Sequence, residues 1–295
     1  MKVAVIGAGM TGVATAELLR RAGHAVTLID RLRPGDPGQT SYGNAGILAS
    51  ASLIPVSTPG VLAKAPGRWL NRDGPLFLRL GYLPRLLPWL RPFLARATPE
   101  GVAETAAGLA PLISDTVEAH EALAKGTPAE GMIHRGPWVL LYPSRAAYEA
   151  EAAEFALKRQ HGLTWEEWDR ARLEEWDPAL GPAYQFAAAM DGHGWLDGAG
   201  PYLAALTGHF EAEGGTFHRA EVRDIRPTEA GVEIEMAGGS LTADKAVLSA
   251  GVWSTRLAAR LGHKAMLEAE RGYHLTLAGP SHRPPSPYML TDAKL

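Results

Sequence analysis

The sequence predicts an α/β fold built on a parallel βαβ unit, and three observations predict it. A short apolar run, Lys2–Ile6, leads into Gly7, Gly9 and Gly12 and then a helix-like run ending at Arg21. A second apolar run, Ala25–Ile29, closes on Asp30. Far downstream, Ala246–Leu248 repeats the theme: a strand, the small residues Ser249–Gly251, then a helix.

Lys2–Ile6 (KVAVI) is apolar and β-branched and is stopped by Gly7, as a short buried strand is. In Thr11–Arg21 the apolar positions Val13, Ala14, Ala16, Leu18 and Leu19 read as a helix. Arg20 and Arg21 suit its negative C-terminal end, and Gly23 stops it. Ala25–Ile29 is the next strand. Such a crossover joins parallel strands.

Each glycine then has a task. Gly7 allows the sharp turn out of the strand. Gly9 leaves room for a pyrophosphate close to the main chain, and Gly12 lets the helix pack on the strand. The helix N-terminus offers unpaired N–H groups and a positive dipole end to the phosphates. Asp30 lies 18 residues after Gly12, where a carboxylate can accept hydrogen bonds from a ribose diol. This pattern predicts a dinucleotide. Asp30 disfavours the 2′-phosphate of NADP; NAD and FAD both stay open.

Residues 31–59 are rich in proline and glycine and contain TSYGNAG, Thr40–Gly46. Its small and hydroxyl side chains suit a main chain lying against a flat ligand, or a plain surface loop. Over 60–98, leucines and aromatics alternate with Arg79, Arg85, Arg91 and Arg96, broken by Pro84, Pro88 and Pro92. The prolines predict short helical turns. The stretch either packs on its own domain or lies on a membrane surface. Pro99–Lys125 and Arg145–His161 read as helices, Trp138–Tyr142 as a strand, and WEEWDRARLEEW (165–176) as a surface helix with half-buried tryptophans. After GHGWLDGAG (Gly192–Gly200), Pro201–Glu213 reads as a helix ended by Gly214 and Gly215. Glu221–Arg226, Gly231–Met236 and Ser240–Leu248 read as strands, the last two a hairpin at Gly238–Gly239. RGYHLTLAG (271–279) is a further strand candidate before a proline-rich tail.

Composition narrows the function. The chain has 295 residues, a net charge of −3 and no cysteine. Thiolate catalysis, disulfides and Cys-ligated metal clusters are excluded. The charge balance carries no footprint for nucleic acid. The ten histidines lack H-E-x-x-H spacing, and no metal site is expected. No leader or spanning segment is visible, so a cytoplasmic place is expected.

Taken together, the amino-terminal βαβ, TSYGNAG, AVLSAGVWS and ERGYHLTL resemble the FAD-dependent D-amino-acid oxidase-like (DAO) family over nearly the whole chain. The resemblance implies a Rossmann-like FAD-binding domain with an interleaved α+β substrate domain. It implies a division into 1–60 (βαβ and flavin loop), 61–195 (mostly helical substrate-domain insertion), 196–262 (return to the FAD domain) and 263–295 (start of the substrate sheet). It implies FAD held by the turn Val5, Ile6, Gly7, Ala8, Gly9, Met10, Thr11 and Gly12, with the ribose on Asp30 beside Arg31. Thr40, Ser41, Asn44, Ala45 and Gly46 would run beside the isoalloxazine. The main chain near Val222 would reach the adenine, and Ala250, Gly251 and Trp253 would close over the phosphates. Family members continue past Leu295, so the substrate domain is expected to be incomplete, in the manner of a truncated chain.

The expected reaction is oxidation of the C–N bond of an amino acid, of the D-amino-acid dehydrogenase kind, by hydride transfer to flavin N5. Tyr273 and His274 are the residues expected at the substrate, with His193 a second histidine to watch. Alternatives are oxidation of a secondary amine (sarcosine, glycine or proline type), an NAD-linked dehydrogenase, or a non-catalytic nucleotide-binding fragment. The implied partners are an amino-acid or amine substrate, an electron acceptor (quinone or oxygen), and a membrane surface met peripherally through 76–96.

Overall fold

Burial from Val3 through Ile6 makes β1 (Lys2–Ile6) the central apolar strand that its composition calls for. α1 (Met10–Arg21) and β2 (Ala25–Asp30) follow, with β2 parallel to β1 from Lys2 opposite Ala25 to Ile6 opposite Ile29. The computed structural model describes residues 1–59, 80–269 and 272–292. Next come β3 (Ile47–Leu48), α2 (Leu83–Ala95), α3 (Pro99–Ile113) and α4 (Thr116–Ala124). β4 (Ile133–Arg135), β5 (Trp138–Tyr142), α5 (Arg145–Glu149), α6 (Ala152–Gln160), β6 (Trp165–Asp169), α7 (Arg170–Trp176), β7 (Phe186–Met190) and β8 (Gly194–Leu196) form the middle. The chain continues through α8 (Ala199–Ala212), β9 (Thr216–Arg219), β10 (Val222–Thr228), β11 (Gly231–Met236), β12 (Gly239–Ala243), β13 (Lys245–Leu248), α9 (Ser254–Arg260) and β14 (Tyr288–Leu290).

These elements make two compact units. The first holds Met1–Gly46, His120–Ile133 and Leu196–Leu275; the second holds Ile47–Ala119, His134–Trp195 and Thr276–Leu295. The chain therefore changes unit at 46/47, 195/196 and 275/276, and His120–Ile133 also joins the first unit. The division expected from sequence has its cuts after 60, 195 and 262.

In the first unit a parallel sheet runs in the order β13-β1-β2-β9. A three-stranded antiparallel sheet, β10-β11-β12, shares a core with it: Ala4, Ile6 and Ile29 pack with Ile225, Ile234, Met236 and Leu257. α1 packs against β1, β2 and α8.

The second unit centres on the sheet β14-β5-β7-β6, in which β7 is antiparallel to both β5 and β6 and β14 is parallel to β5. Every residue of β7 (FAAAM) is buried, and alternation sends its side chains to two cores. Phe186, Ala188 and Met190 meet Leu140, Tyr142, Tyr148 and Phe155; Ala187 and Ala189 meet Val139, Leu141, Trp168 and Leu173. The buried Asp177 carboxylate ties the tail down. It accepts hydrogen bonds from Tyr288 Oη, from Ala179 N–H at 2.9 Å and from His282 Nε2, the last at 3.1 Å to Oδ2.

Several expected elements take another form. WEEWDRARLEEW is not one helix: Trp165–Asp169 is strand β6, and Asp169 caps α7 by accepting from Arg172 N–H at 2.9 Å. Tryptophans three apart share one side of a helix but face opposite ways on a strand. Here each face has a core, so Trp165 packs in one and Trp168 in the other. Ser240–Leu248 is two strands, because Asp244 hands the chain from one sheet to the other. Its N–H donates to Lys2 O at 2.9 Å, and its Oδ2 accepts from Lys2 N–H at 2.8 Å. Both long helices expected over 99–125 and 145–161 break in two, at Ser114–Asp115 and Ala150–Glu151. In place of short turns, Leu83–Ala95 is one helix containing Pro88 and Pro92. With Pro84 these recur every four residues, so the lost N–H groups fall along one side. Residues 60–79, with Arg79, lie outside the described residues. Over 272–279 no strand forms: Tyr273, Leu275 and Leu277 are exposed.

Candidate functional site

Sterics separate the three glycines of the first turn. Gly7 has φ +103°, and a Cβ there would lie 2.5 Å from Ser249 O. A Cβ on Gly12 would lie 1.7 Å from Gly7 O. Both positions are closed by main chain. A Cβ on Gly9 would meet only the Ser41 hydroxyl, at 3.0 Å. Gly9 is also the N-cap of α1 and brings no side chain to the cap, so the positive end of the helix is open to an anion.

A second turn stands beside the first. β13 is parallel to β1, and Ser249 N–H donates to Ile6 O at 2.8 Å. Ser249 Oγ is 3.1 Å from both Ile6 O and Gly7 O. Ala250 and Gly251 follow, Gly251 at φ +56° with open space on its side-chain side. Two strand–turn–helix units thus end side by side at the C-terminal edge of a parallel sheet, the usual place for a ligand in such folds.

Asp30 is already engaged. Its carboxylate accepts from Ala8 N–H at 2.7 Å and Leu32 N–H at 2.9 Å, so it braces the glycine turn. Two oxygens still leave lone pairs for a diol. The Arg31 guanidinium lies over the exposed Trp253 ring, 4.5 Å from its centroid, which links the end of β2 to the second turn. Val222 is buried in the core with Ile6 and Ile29, and the ladder shifts register between Val222 and Asp224.

The 40–46 loop folds back on the first turn. Ser41 Oγ accepts from Met10 N–H at 3.1 Å, and Asn44 Oδ1 accepts from Gly46 N–H at 2.8 Å. Gln39, which sequence reasoning passes over, bridges both sides: its Oε1 accepts from Gly35 N–H at 3.0 Å and its Nε2 donates to Ala8 O at 3.1 Å. No local pattern marks that glutamine. Thr40, Asn44 and Ala45 are exposed, whereas Val5, Ile6 and Ala8 are buried behind the turn; Met10 is half-buried and Thr11 exposed.

Of the substrate-side candidates, Tyr273 is 88% exposed. The His274 ring lies 3.0 Å from where a Cβ on Gly43 would be, beside the loop. His193, in the second unit, is a structural cross-link. Its Nε2 accepts from Ala51 N–H at 3.2 Å and its Nδ1 donates to Asp191 O at 2.7 Å. Burial pushes its pKa down and keeps it neutral.

Farther along α1, buried Glu17 holds Arg20 and Arg21, at 2.9 Å and 2.6 Å. Burial alone would raise its carboxyl, but those two guanidinium groups outweigh burial and hold it below the ordinary value. Arg21 also donates to Ala122 O and Leu123 O, at 3.0 Å and 2.6 Å. Among the described residues no helix is long and apolar enough to cross a membrane.

Comparison with known proteins places this geometry. The family described as "FAD dependent oxidoreductase" (DAO) matches residues 2–294. A D-amino-acid oxidase from Bradyrhizobium diazoefficiens is 36% identical over 99% of this chain and 70% of its own length. A D-amino acid dehydrogenase from Sinorhizobium medicae is 29% identical, over 94% of this chain and 67% of its own. Among solved structures, glycine oxidase from Geobacillus kaustophilus superposes with a TM-score of 0.56 at 20% identity, covering 88% of this chain and 58% of that one. L-Amino acid deaminase from Proteus myxofaciens gives 0.60 at 14% identity, covering 89% and 48%. At those identities the structures speak for the fold alone. The chain spans between 48% and 70% of the length of these proteins.

Proposed function

Because this chain belongs to the FAD-dependent oxidoreductase (DAO) family, we propose that it binds FAD in its first unit and oxidises the C–N bond of an amino acid, a D-amino acid by preference. The observation that carries the reading is the contrast among the glycines. Gly7 and Gly12 are shut by main chain, while Gly9 meets only the movable Ser41 hydroxyl, at a helix end to which Gly9 itself brings no capping side chain. That is the shape a diphosphate needs.

In this reading Val5–Gly12 carries the diphosphate, with Met10 and Thr11 at the head of α1. Asp30 accepts from the ribose hydroxyls while it goes on bracing Ala8. Arg31 flanks the adenosine end, Ala250, Gly251 and Trp253 the phosphates, and the Val222 main chain the adenine. Thr40, Ser41, Asn44, Ala45 and Gly46 run along the isoalloxazine. Bound FAD would supply the two-electron acceptor for a hydride from the substrate Cα. The amine loses that hydride and a proton and becomes an imine, which water converts to a keto acid and ammonia. The protein's part is to fix the cofactor and orient the amine. Tyr273 and His274 are the proposed substrate-side residues.

The D-amino-acid preference rests on relatives named D-amino-acid oxidase and D-amino acid dehydrogenase. Oxygen or a quinone would take the electrons onward. A cytoplasmic place, with peripheral membrane contact through 76–96, completes the proposal; within that stretch Arg85, Leu87 and Arg91 are exposed. Purified protein loaded with FAD and offered D-, L- and secondary amino acids with a redox dye tests the reading. Flavin absorbance with D-amino-acid-dependent dye reduction is expected. A chain that takes up no FAD, or reduces dye only with secondary amines, overturns it.

A further inference from the structure

The 40–46 loop rests on α8 through one close contact that a side chain would forbid. A Cβ on Gly200 would fall 2.4 Å from Tyr42 Cδ2 and 2.7 Å from Cε2. Gly200 is buried in the first turn of α8. The same residue also meets the segment that leads into the loop: a Cβ on Gly35 would lie 2.7 Å from Gly200 O. The loop's other anchors hold its flanks, through Gln39 and Ser41 to the glycine turn and through Gly46 O, which accepts from Leu196 N–H at 2.9 Å. Between those flanks Tyr42 sits on Gly200.

Glycine is a poor choice inside a helix on propensity alone, since alanine there is favoured. Its presence in the first turn of α8 needs a packing reason, and the Tyr42 ring supplies one. We propose that Gly200 is a positioning residue: its bare α-carbon seats the Tyr42 ring and thereby sets the path of the 40–46 loop beside the cofactor. The inference rests on the FAD reading for its consequence, while the seat itself is a property of the chain alone.

Gly200→Ala separates this role from a merely structural one. Helix propensity predicts an equal or higher Tm for the variant, while the displaced ring predicts faster amide exchange over 41–46. In FAD-loaded protein the expected result is at least tenfold weaker FAD binding and a shifted visible flavin band. Adding Tyr42→Ser removes the overlap, so Gly200→Ala should then change affinity little beyond what Tyr42→Ser does alone. Unchanged exchange over 41–46 in Gly200→Ala would overturn the seat. An affinity loss that persists in full on the Tyr42→Ser background would overturn the positioning role. Failure of the wild-type chain to bind FAD would sink the cofactor reading and the positioning role that rests on it, whereas the exchange measurement still decides whether the seat exists.

Discussion

The two units hold their key features by different means. In the first, the candidate site is mostly main chain. Glycine turns lie against carbonyls, and Asp30, Ser41, Gln39 and Ser249 hydrogen-bond to peptide groups. In the second, order comes from side chains meeting across long sequence distances: Asp177 with His282 and Tyr288, and Tyr148 with Glu167 and Trp165. A main-chain site demands particular small residues at particular places. A side-chain network demands partners that can be far apart in the chain.

The sharpest way to break this contrast is at Gly12. Gly12→Ala forces a methyl to within 1.7 Å of Gly7 O, and a cost above about 3 kcal/mol is expected. Thermal unfolding checks it; an unchanged Tm would contradict the packing described. Gly9→Val should separate binding from folding. For its Cβ only the Ser41 hydroxyl must give way, so Tm should fall less than in Gly12→Ala while FAD affinity falls about 100-fold or roughly 2.7 kcal/mol. Normal FAD titration by this variant would move the diphosphate elsewhere.

For the second unit, Asp177→Asn should cost about 2–3 kcal/mol, because the Tyr288, Ala179 and His282 donors lose a buried charged acceptor. Burial alone would raise this carboxyl, but those hydrogen bonds outweigh it and hold its pKa below the ordinary value. A depressed carboxyl contributes stability that is complete above its unfolded pKa and disappears as pH falls through the folded one. The Tm gap between wild type and Asp177→Asn should therefore be full at neutral pH and shrink below about pH 4. A gap that widened in acid would refute the assignment. The smallest effect is expected at Asp30→Ala, about 2 kcal/mol in FAD affinity. Any loss of Tm measured without FAD would report the brace on Ala8 and Leu32.

The same contrast explains what could be read from the sequence. Gly7, Gly9, Gly12 and Asp30 announce themselves because main-chain geometry restricts residue type at fixed spacings. The small residues Ser249–Gly251 were legible for the same reason. Nothing local marks Gln39 as a bridge or Asp177 as a clamp, since Ala8 for the one and His282 and Tyr288 for the other lie outside any window. Period misled as well. The spacing of Trp165 and Trp168 reads as helical until the two-faced sheet is known, and Ser240–Leu248 looks continuous because its break is a change of partner at Asp244, with no glycine or proline to signal it.

That hand-over at Asp244 also dictates where the chain tolerates editing. One residue separates strands obeying two different ladders, and it is tied to Lys2 twice, its peptide N–H donating to Lys2 O and its carboxylate accepting from Lys2 N–H. Adding or deleting a residue there would turn β13 over, sending its core-facing side chains outward. The nearby Gly238 has no neighbour within 4 Å of its side-chain position, so an inserted tag or reporter belongs at that hairpin tip, six residues earlier.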